Sequence, residues 1–251
     1  MTDTPAAYSL QPVAFVRSPY TQKFGIPRQP GLVPAAQACI EMLPQFDADS
    51  VRGLEQFSHI WVQFVFHGTA GAGWQPLVRP PRLGGNRKMG VFATRSPFRP
   101  NPLGLSLLKL ERVDTAGRVR LWCGGADLLD GTPVLDIKPY LPFAEARPDA
   151  DAGFAAAPPS PLQVAWLPGI AETLPPQIRL LAEQSLAQDP RPAYQDEPQR
   201  TYRMALAGWE LAFRIENGTA RVLSAAPAQA AARSDSPART VLEYVWPDQE
   251  T

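Results

Sequence analysis

Cysteine and histidine are scarce: the 251-residue chain has Cys39, Cys123, His59 and His67 and no others. The two cysteines are isolated, with no CxxC pair, which argues against a structural zinc site and against a disulfide framework. His59 and His67 stand eight positions apart, about 26 Å along one strand, so they cannot share an ion and no metal is expected. No apolar run approaches the ~18 residues of a membrane span, and the first nine residues lack a basic leader, so the expected compartment is cytoplasmic. Charge of one sign is not in excess either. The 24 Lys+Arg balance 24 Asp+Glu, and any affinity for a polyanion must come from local clustering. GxGxxG, a P-loop lysine motif, GxSxG and HExxH are all missing. That removes support from Rossmann dehydrogenases and Rossmann-type methyltransferases, P-loop NTPases, serine hydrolases and zincins.

Proline, by contrast, is abundant: 29 of 251 residues, where about 5% is usual. Each proline removes a backbone donor and blocks helix interiors, so long helices should be few. Apolar residues recur with period two through the first 140 positions, the signature of strands. Strands are predicted over residues 13–18, 60–66, 90–94, 105–113, 119–123 and 134–140, the fourth and fifth joined by a turn at Asp114 to Gly117. Short strands between Gly/Pro turns suggest a sandwich or a closed barrel, and closure removes exposed edges. Residues 144–161, AEARPDADAGFAAAPPSP, read as a linker. Beyond it, Ile178, Leu181, Ala182, Ser185 and Leu186 follow helical spacing after Pro175-Pro176. Trp209, Leu211, Phe213 and Ile215 alternate up to an Asn217-Gly218 hairpin turn. The expected organisation is a mainly β protein: a β-barrel domain over residues 1–143, a small α+β domain over 162–224, and an Ala/Ser-rich tail over 225–251 with a possible late strand at 240–246.

Three constellations could carry chemistry. The loop at 95–104, RSPFRPNPLG, has three prolines in six residues, which stiffen it and leave Arg95, Arg99 and Asn101 to bind a carboxylate or phosphate at low ordering cost. The bland alternative is a braced surface loop with solvated arginines. From residue 79 to 99 there are six cations, Arg79, Arg82, Arg87, Lys88, Arg95 and Arg99, and no acid. Such a stripe suits an RNA backbone or a nucleotide phosphate, although charge runs are often no more than solvated faces. In DGTPVLDIKPY, residues 130–140, strict alternation puts Thr132, Val134, Asp136, Lys138 and Tyr140 on one face and Leu135, Ile137 and Pro139 on the other. Facing a cavity, Asp136 and Lys138 could orient a substrate and Tyr140 could stack on a base; otherwise they form an exposed polar face with an ordinary ion pair.

Five stretches, RSPYTQKFGIPRQPGLV, LEQFSHIWVQFVFH, RPPRLGGN, GVFATRSPFRPNPLGLS and DLLDGTPVLDIKPYLPF, resemble the TsaA-like (TrmO) family. Asp189-Pro190-Arg191-Pro192-Ala193-Tyr194 resembles the C-terminal domain of its bacterial members. The likeness covers most of residues 12 to about 223. Leu103 and Glu145 are small departures outside the proposed chemistry. The resemblance implies a single-sheeted β-barrel, a homodimer, and an S-adenosylmethionine-dependent methyltransferase acting on N6 of threonylcarbamoyladenosine, the modified base just 3′ of the tRNA anticodon. By position in the matching motifs it assigns Pro27, Arg28, Gln29, His67, Gly68, Arg95, Leu105, Leu128, Leu129 and Asp130 to the cofactor pocket.

That acceptor nitrogen has a delocalised lone pair, so a base near it is useful. Asp136 or Tyr140 is expected to assist the proton, and Lys138 or Arg99 to pair with the threonyl carboxylate. Arg79, Arg82, Arg87, Lys88 and Arg191 are expected on the RNA. This requires the stiffened arginine loop and the Asp136, Lys138 and Tyr140 segment to converge on one cavity, within a chain or across a subunit contact. Two rival readings remain open: a non-catalytic RNA- or nucleotide-binding barrel, and a methyltransferase of the same fold acting on another substrate.

Overall fold

A computed structural model describes residues 8–192, 195 and 197–228. Tyr194 of the DPRPAY segment, most of the Ala/Ser-rich tail and the possible strand at 240–246 lie outside the described residues. The strands are β1 (Ala14–Arg17), β2 (Ala38–Met42), β3 (His59–Val65), β4 (Leu77–Val78), β5 (Met89–Gly90), β6 (Leu103–Asp114), β7 (Arg120–Gly124), β8 (Pro133–Pro139), β9 (Gln163–Trp166), β10 (Tyr202–Leu206), β11 (Trp209–Glu216) and β12 (Thr219–Pro227). The helices are α1 (Pro142–Glu145) and α2 (Pro176–Ala187). Six strands close into a single antiparallel barrel in the order β1-β2-β7-β6-β3-β8. Alternation fills it: Ala14, Val16, Ile40, Ile60, Val62, Leu108 and Leu121 all point into one core, as period two requires of a barrel wall. The mainly β, barrel-plus-small-domain expectation therefore holds.

Three details differ from the sequence expectation. Residues 90–94 are not a wall strand; they form the two-residue β5 and a 3-10 turn. The sixth barrel strand is instead β2, ACIEM, buried at every position. Its Glu41 is tolerated because Arg17 and Arg120 each donate to it at 3.2 Å from the neighbouring strands, which supplies the pairing a buried carboxylate needs. The third is a β-bulge in β8. Val134 pairs with Phe64 and Asp136 with Gln63, leaving Leu135 as an extra residue. The bulge reverses the alternation. Thr132 and Val134 are buried, Ile137 packs on the barrel core, and Asp136 and Lys138 stand on the outer wall.

The second sheet runs β10-β11-β12-β9, with β9 parallel to β12. Helix α2 covers it with the five residues that the spacing selected: Ile178, Leu181, Ala182, Ser185 and Leu186 are its buried face. Residues 225–227, expected in the tail, complete β12, where Ala225 pairs with Leu211. The core of this unit also contains Tyr20, Val33 and Ala36 from the loop between β1 and β2. The Tyr20 hydroxyl meets Ser185 Oγ at 3.2 Å. Ala207 N–H donates to the Pro19 carbonyl at 2.8 Å. Gly25, at φ 95°, leaves room for the Met204 sulfur, which a Cβ would approach to 2.4 Å. A loop of the barrel is thus a structural part of the second core.

Candidate active site at one mouth of the barrel

β1, β3 and β7 all end at the same mouth of the barrel, and three loops leave it there, at 18–37, 66–102 and 125–132. Contacts tie the loops to one another. Lys23 Nζ donates to the Gly68 carbonyl. Arg95 Nη1 donates to Gln29 Oε1. Gly31 N–H donates to Gly125 O at 2.8 Å, Asp130 N–H to Tyr20 O at 2.8 Å, and Ser18 N–H to Asp130 Oδ1 at 3.0 Å. Gly68 is close to its neighbours: a Cβ there would lie 2.8 Å from Lys23 Cε and 3.3 Å from Leu129 Cδ2, so the Lys23 side chain would have to shift. Except for Leu105, every residue that the resemblance gave to a cofactor pocket is on these three loops. The Leu128 side chain fills the barrel core, so it offers the mouth only its backbone.

Asp127, which the sequence pattern did not single out, lies on the 125–132 loop and is largely enclosed. Ser106 Oγ donates to its Oδ1 at 2.7 Å. Burial pushes the Asp127 carboxyl up to about 6, against the Ser106 hydrogen bond and the nearby positive charge of Arg95. Burial thus favours the neutral form of this carboxyl, and a cation placed beside it would favour the ionised form.

The arginines divide. Arg99 is folded back on its own loop, where Nη1 donates to the carbonyls of Thr94 at 2.8 Å and Val91 at 3.3 Å and the guanidinium lies 5.7 Å from the Phe92 ring centre. Through Nη1 it braces its own loop. Arg191 is also structural. Its Nε and Nη2 both reach the Asp189 carboxylate at 2.9 Å, a bidentate pair within its own loop. Arg28 Nη2 donates to the Arg191 carbonyl at 3.0 Å and joins this loop to the mouth. Partial burial lowers the Arg28 pKa, Asp189 opposes the shift, and the nearby Arg82 adds to it. Arg79, Arg82, Arg87 and Lys88 are exposed on the 66–102 loop with no recorded ion pair among the described residues. Asn101 is exposed and its carbonyl accepts from Leu103 N–H at 2.7 Å.

Asp136, Lys138 and Tyr140 do not face the mouth within one chain. Lys138 Nζ meets Asp136 Oδ2 at 2.7 Å on the outer wall. There Asp136 pairs with Gln63, and Gln63 pairs with Leu105 across the next strand, so Leu105, Gln63 and Asp136 form one row. Tyr140 lies at the far end of the wall, its N–H donating to His59 O at 3.0 Å and its ring 5.9 Å from Trp61. His67, at the mouth, is eight residues from His59, about 26 Å of strand. A single hollow joining Tyr140 to the arginine loop is therefore excluded within a protomer. Among the described residues no group of three His, Cys, Asp or Glu side chains could hold a metal ion. No described helix is long and apolar enough to cross a membrane.

Residues 15–146 match the tRNA-methyltransferase O N-terminal domain, and residues 159–228 match the TrmO C-terminal domain. The chain belongs to the TrmO family. It is 80% identical over 167 residues to the tRNA (adenine(37)-N6)-methyltransferase of Eikenella corrodens, covering 66% of this chain and 95% of that protein. It is 47% identical over 233 residues to the Escherichia coli K12 protein of the same name, covering 88% of this chain and 99% of the relative. The crystal structure of TrmO from Pseudomonas aeruginosa aligns with a TM-score of 0.74 at 40% identity, covering 88% of this chain and 99% of that one. These alignments run through both sheets, so the loop that enters the second core belongs to the TrmO-like unit as a whole.

Proposed function

We propose that the protein is an S-adenosylmethionine-dependent tRNA methyltransferase that methylates N6 of threonylcarbamoyladenosine beside the anticodon, in the cytoplasm. The observation that carries this reading is the three-loop mouth, with the Asp127 carboxylate at its base and cations without acidic partners on its rim. It occurs in a chain that aligns almost end to end with a tRNA (adenine(37)-N6)-methyltransferase.

S-adenosylmethionine suits the residues of this mouth, since it carries positive charge on its sulfonium and ammonium, which the Asp127 carboxylate complements. When bound it supplies a methyl group on a good leaving group. The rest falls to the chain. Backbone groups at 67–68 and 128–130 read the adenine and ribose, Gln29 and Arg95 fix the rim through their mutual hydrogen bond, and the 66–102 loop keeps water out. Positioning is the main catalytic resource in such an in-line displacement.

The acceptor proton goes to Asp136. Lys138, already 2.7 Å from Asp136, is the cation for the threonyl carboxylate. For the row of Leu105, Gln63 and Asp136 to serve the mouth, a second copy must pack on this wall. Leu103 and Leu105, 45% and 52% exposed, supply the apolar contact. The active site is then shared, one protomer giving its mouth and the other its β6-β3-β8 wall. Arg79, Arg82, Arg87 and Lys88 hold anticodon-loop phosphates.

The deciding experiment incubates purified protein with S-adenosylmethionine and tRNA bearing or lacking the threonylcarbamoyl group, and reads the nucleosides by mass spectrometry. The expected product is threonylcarbamoyladenosine heavier by one methyl group, formed only on the modified tRNA. Absence of that nucleoside, together with no heat on titration with S-adenosylhomocysteine, leaves the binding-only barrel as the correct reading.

A further inference from the structure

We propose that Phe92 and Trp74, on facing arms of the 66–102 loop, are stacking platforms for unpaired bases of the anticodon loop; this rests on the tRNA reading above. Phe92 is 77% exposed and Trp74 55% exposed. Neither contributes to a core, so folding alone gives no reason for a large ring at either position.

The loop is nevertheless built to hold them. β4 and β5 pair through Leu77 with Gly90 and Val78 with Met89. Val91 N–H continues the ladder by donating to Pro76 O at 3.0 Å, which brings the arm carrying Trp74 alongside the turn carrying Phe92. Beneath Phe92, Val91 is buried as an anchor. Thr94 Oγ1 donates to Val91 O at 2.9 Å, and Arg99 Nη1 donates to the carbonyls of Val91 and Thr94. The same guanidinium sits over the Phe92 ring. The backbone that carries the ring is thus braced and one ring face meets a guanidinium, while the ring stays largely exposed, so little backbone entropy is lost when a base lies on it.

The surrounding charge selects the partner. Between Glu55 and Glu111 the sequence has no acidic residue, while the loop that holds the two rings also carries Arg79, Arg82, Arg87, Lys88 and Arg95. An apolar protein surface docked there would have to leave these cations desolvated. Single-stranded RNA satisfies both components at once, with phosphates on the cations and bases on the rings, the usual combination for unpaired nucleic acid. Stacking on a π face tolerates any base, so the two rings set the geometry of the splayed loop and leave recognition of the modified base to the mouth.

The test is binding of an anticodon stem-loop RNA to the full-length protein, followed by fluorescence anisotropy over a series of salt concentrations. Phe92→Leu and Phe92→Ala should each weaken binding by about 5- to 150-fold, the range of one base–aromatic stack. Trp74→Ala should do the same, while Phe92→Trp and Phe92→Tyr keep affinity. The slope of log K against log salt should stay that of the wild type, because no phosphate contact is removed. Unchanged affinity for S-adenosylhomocysteine verifies that each variant is folded. Wild-type protein that ignores the stem-loop overturns the functional reading and the stacking with it. Wild-type binding with an equally tight Phe92→Leu variant overturns the stacking alone. So does a loss of affinity that merely follows dissociation of a dimer in sedimentation.

Discussion

Arg17 and Arg120 on the barrel wall, and Arg79, Arg87 and Lys88 on the mouth loop, are cations of one chain used in opposite ways. The first two hold one nearly buried carboxylate, Glu41, at 3.2 Å each. The other three face solvent with no recorded ion pair among the described residues. Charge that completes a fold is paired and screened from water; charge meant for a ligand is left open. Substitutions should separate the two. Glu41→Ala leaves two wall arginines around an unfilled site and should cost about 3 kcal/mol of stability, measured as a lower denaturant midpoint at unchanged m-value. It should leave RNA affinity per folded molecule intact.

Asp127, on the 125–132 loop and bonded to Ser106 of the barrel wall, should respond in both measurements. Its folded-state value of about 6 stands above the ordinary 3.8, so between those limits the native state holds a proton that the unfolded chain releases. The contribution of this group to stability is therefore fully present below 3.8 and is lost as pH rises through about 6. Asp127→Asn should flatten that part of the stability profile. A cationic ligand needs the ionised form, so wild-type affinity for S-adenosylmethionine should fall as pH drops through about 6. In Asp127→Asn affinity should be lower by about 10- to 100-fold at neutral pH, the loss of one charge-assisted bond, and independent of pH in this window. Calorimetry across that range checks both points, and an unaltered pH profile in the variant would remove Asp127 from the ligand.

At the open end of the comparison, Arg87→Ala and Lys88→Ala should change stability by no more than about 0.5 kcal/mol. Each should weaken tRNA binding a few-fold and reduce the salt slope by about one unit. A wild-type slope in both variants would mean that the rim cations do not touch phosphate.

Which parts of this division were legible in the sequence follows from how local each signal is. The walls with alternating residues, the Asn217-Gly218 hairpin and the buried stripe of α2 are set by neighbours a few positions apart. β2 was not legible, because its five residues are buried on both faces and Glu41 finds its partners 24 and 79 positions away. The docking of the β1–β2 loop in the second core is similarly long-range, as is the Tyr20–Ser185 contact across 165 positions. The cation stripe was legible as composition. Its subdivision was not, since nothing near Arg99 or Arg191 in the chain announces that one turns back on carbonyls and the other on Asp189. Asp127 escaped because the DLLD segment offers two carboxylates and no rule of spacing says which one is buried.

The bulge at Leu135 has the most direct consequence for mechanism. It turns Asp136 and Lys138 outward, where an exposed ion pair adds about 0–1 kcal/mol to stability. Lys138→Ala should therefore leave the fold unchanged, and any loss of methylation reports on substrate. If Lys138 receives the threonyl carboxylate, the variant should lose rate on tRNA carrying that group and on no other, and Lys138→Arg should restore part of it. Equal losses with an analogue lacking the carboxylate would make Lys138 only a partner that orients Asp136. A wild-type rate on both would leave the outer wall to subunit contact and put the proton acceptor back at the mouth.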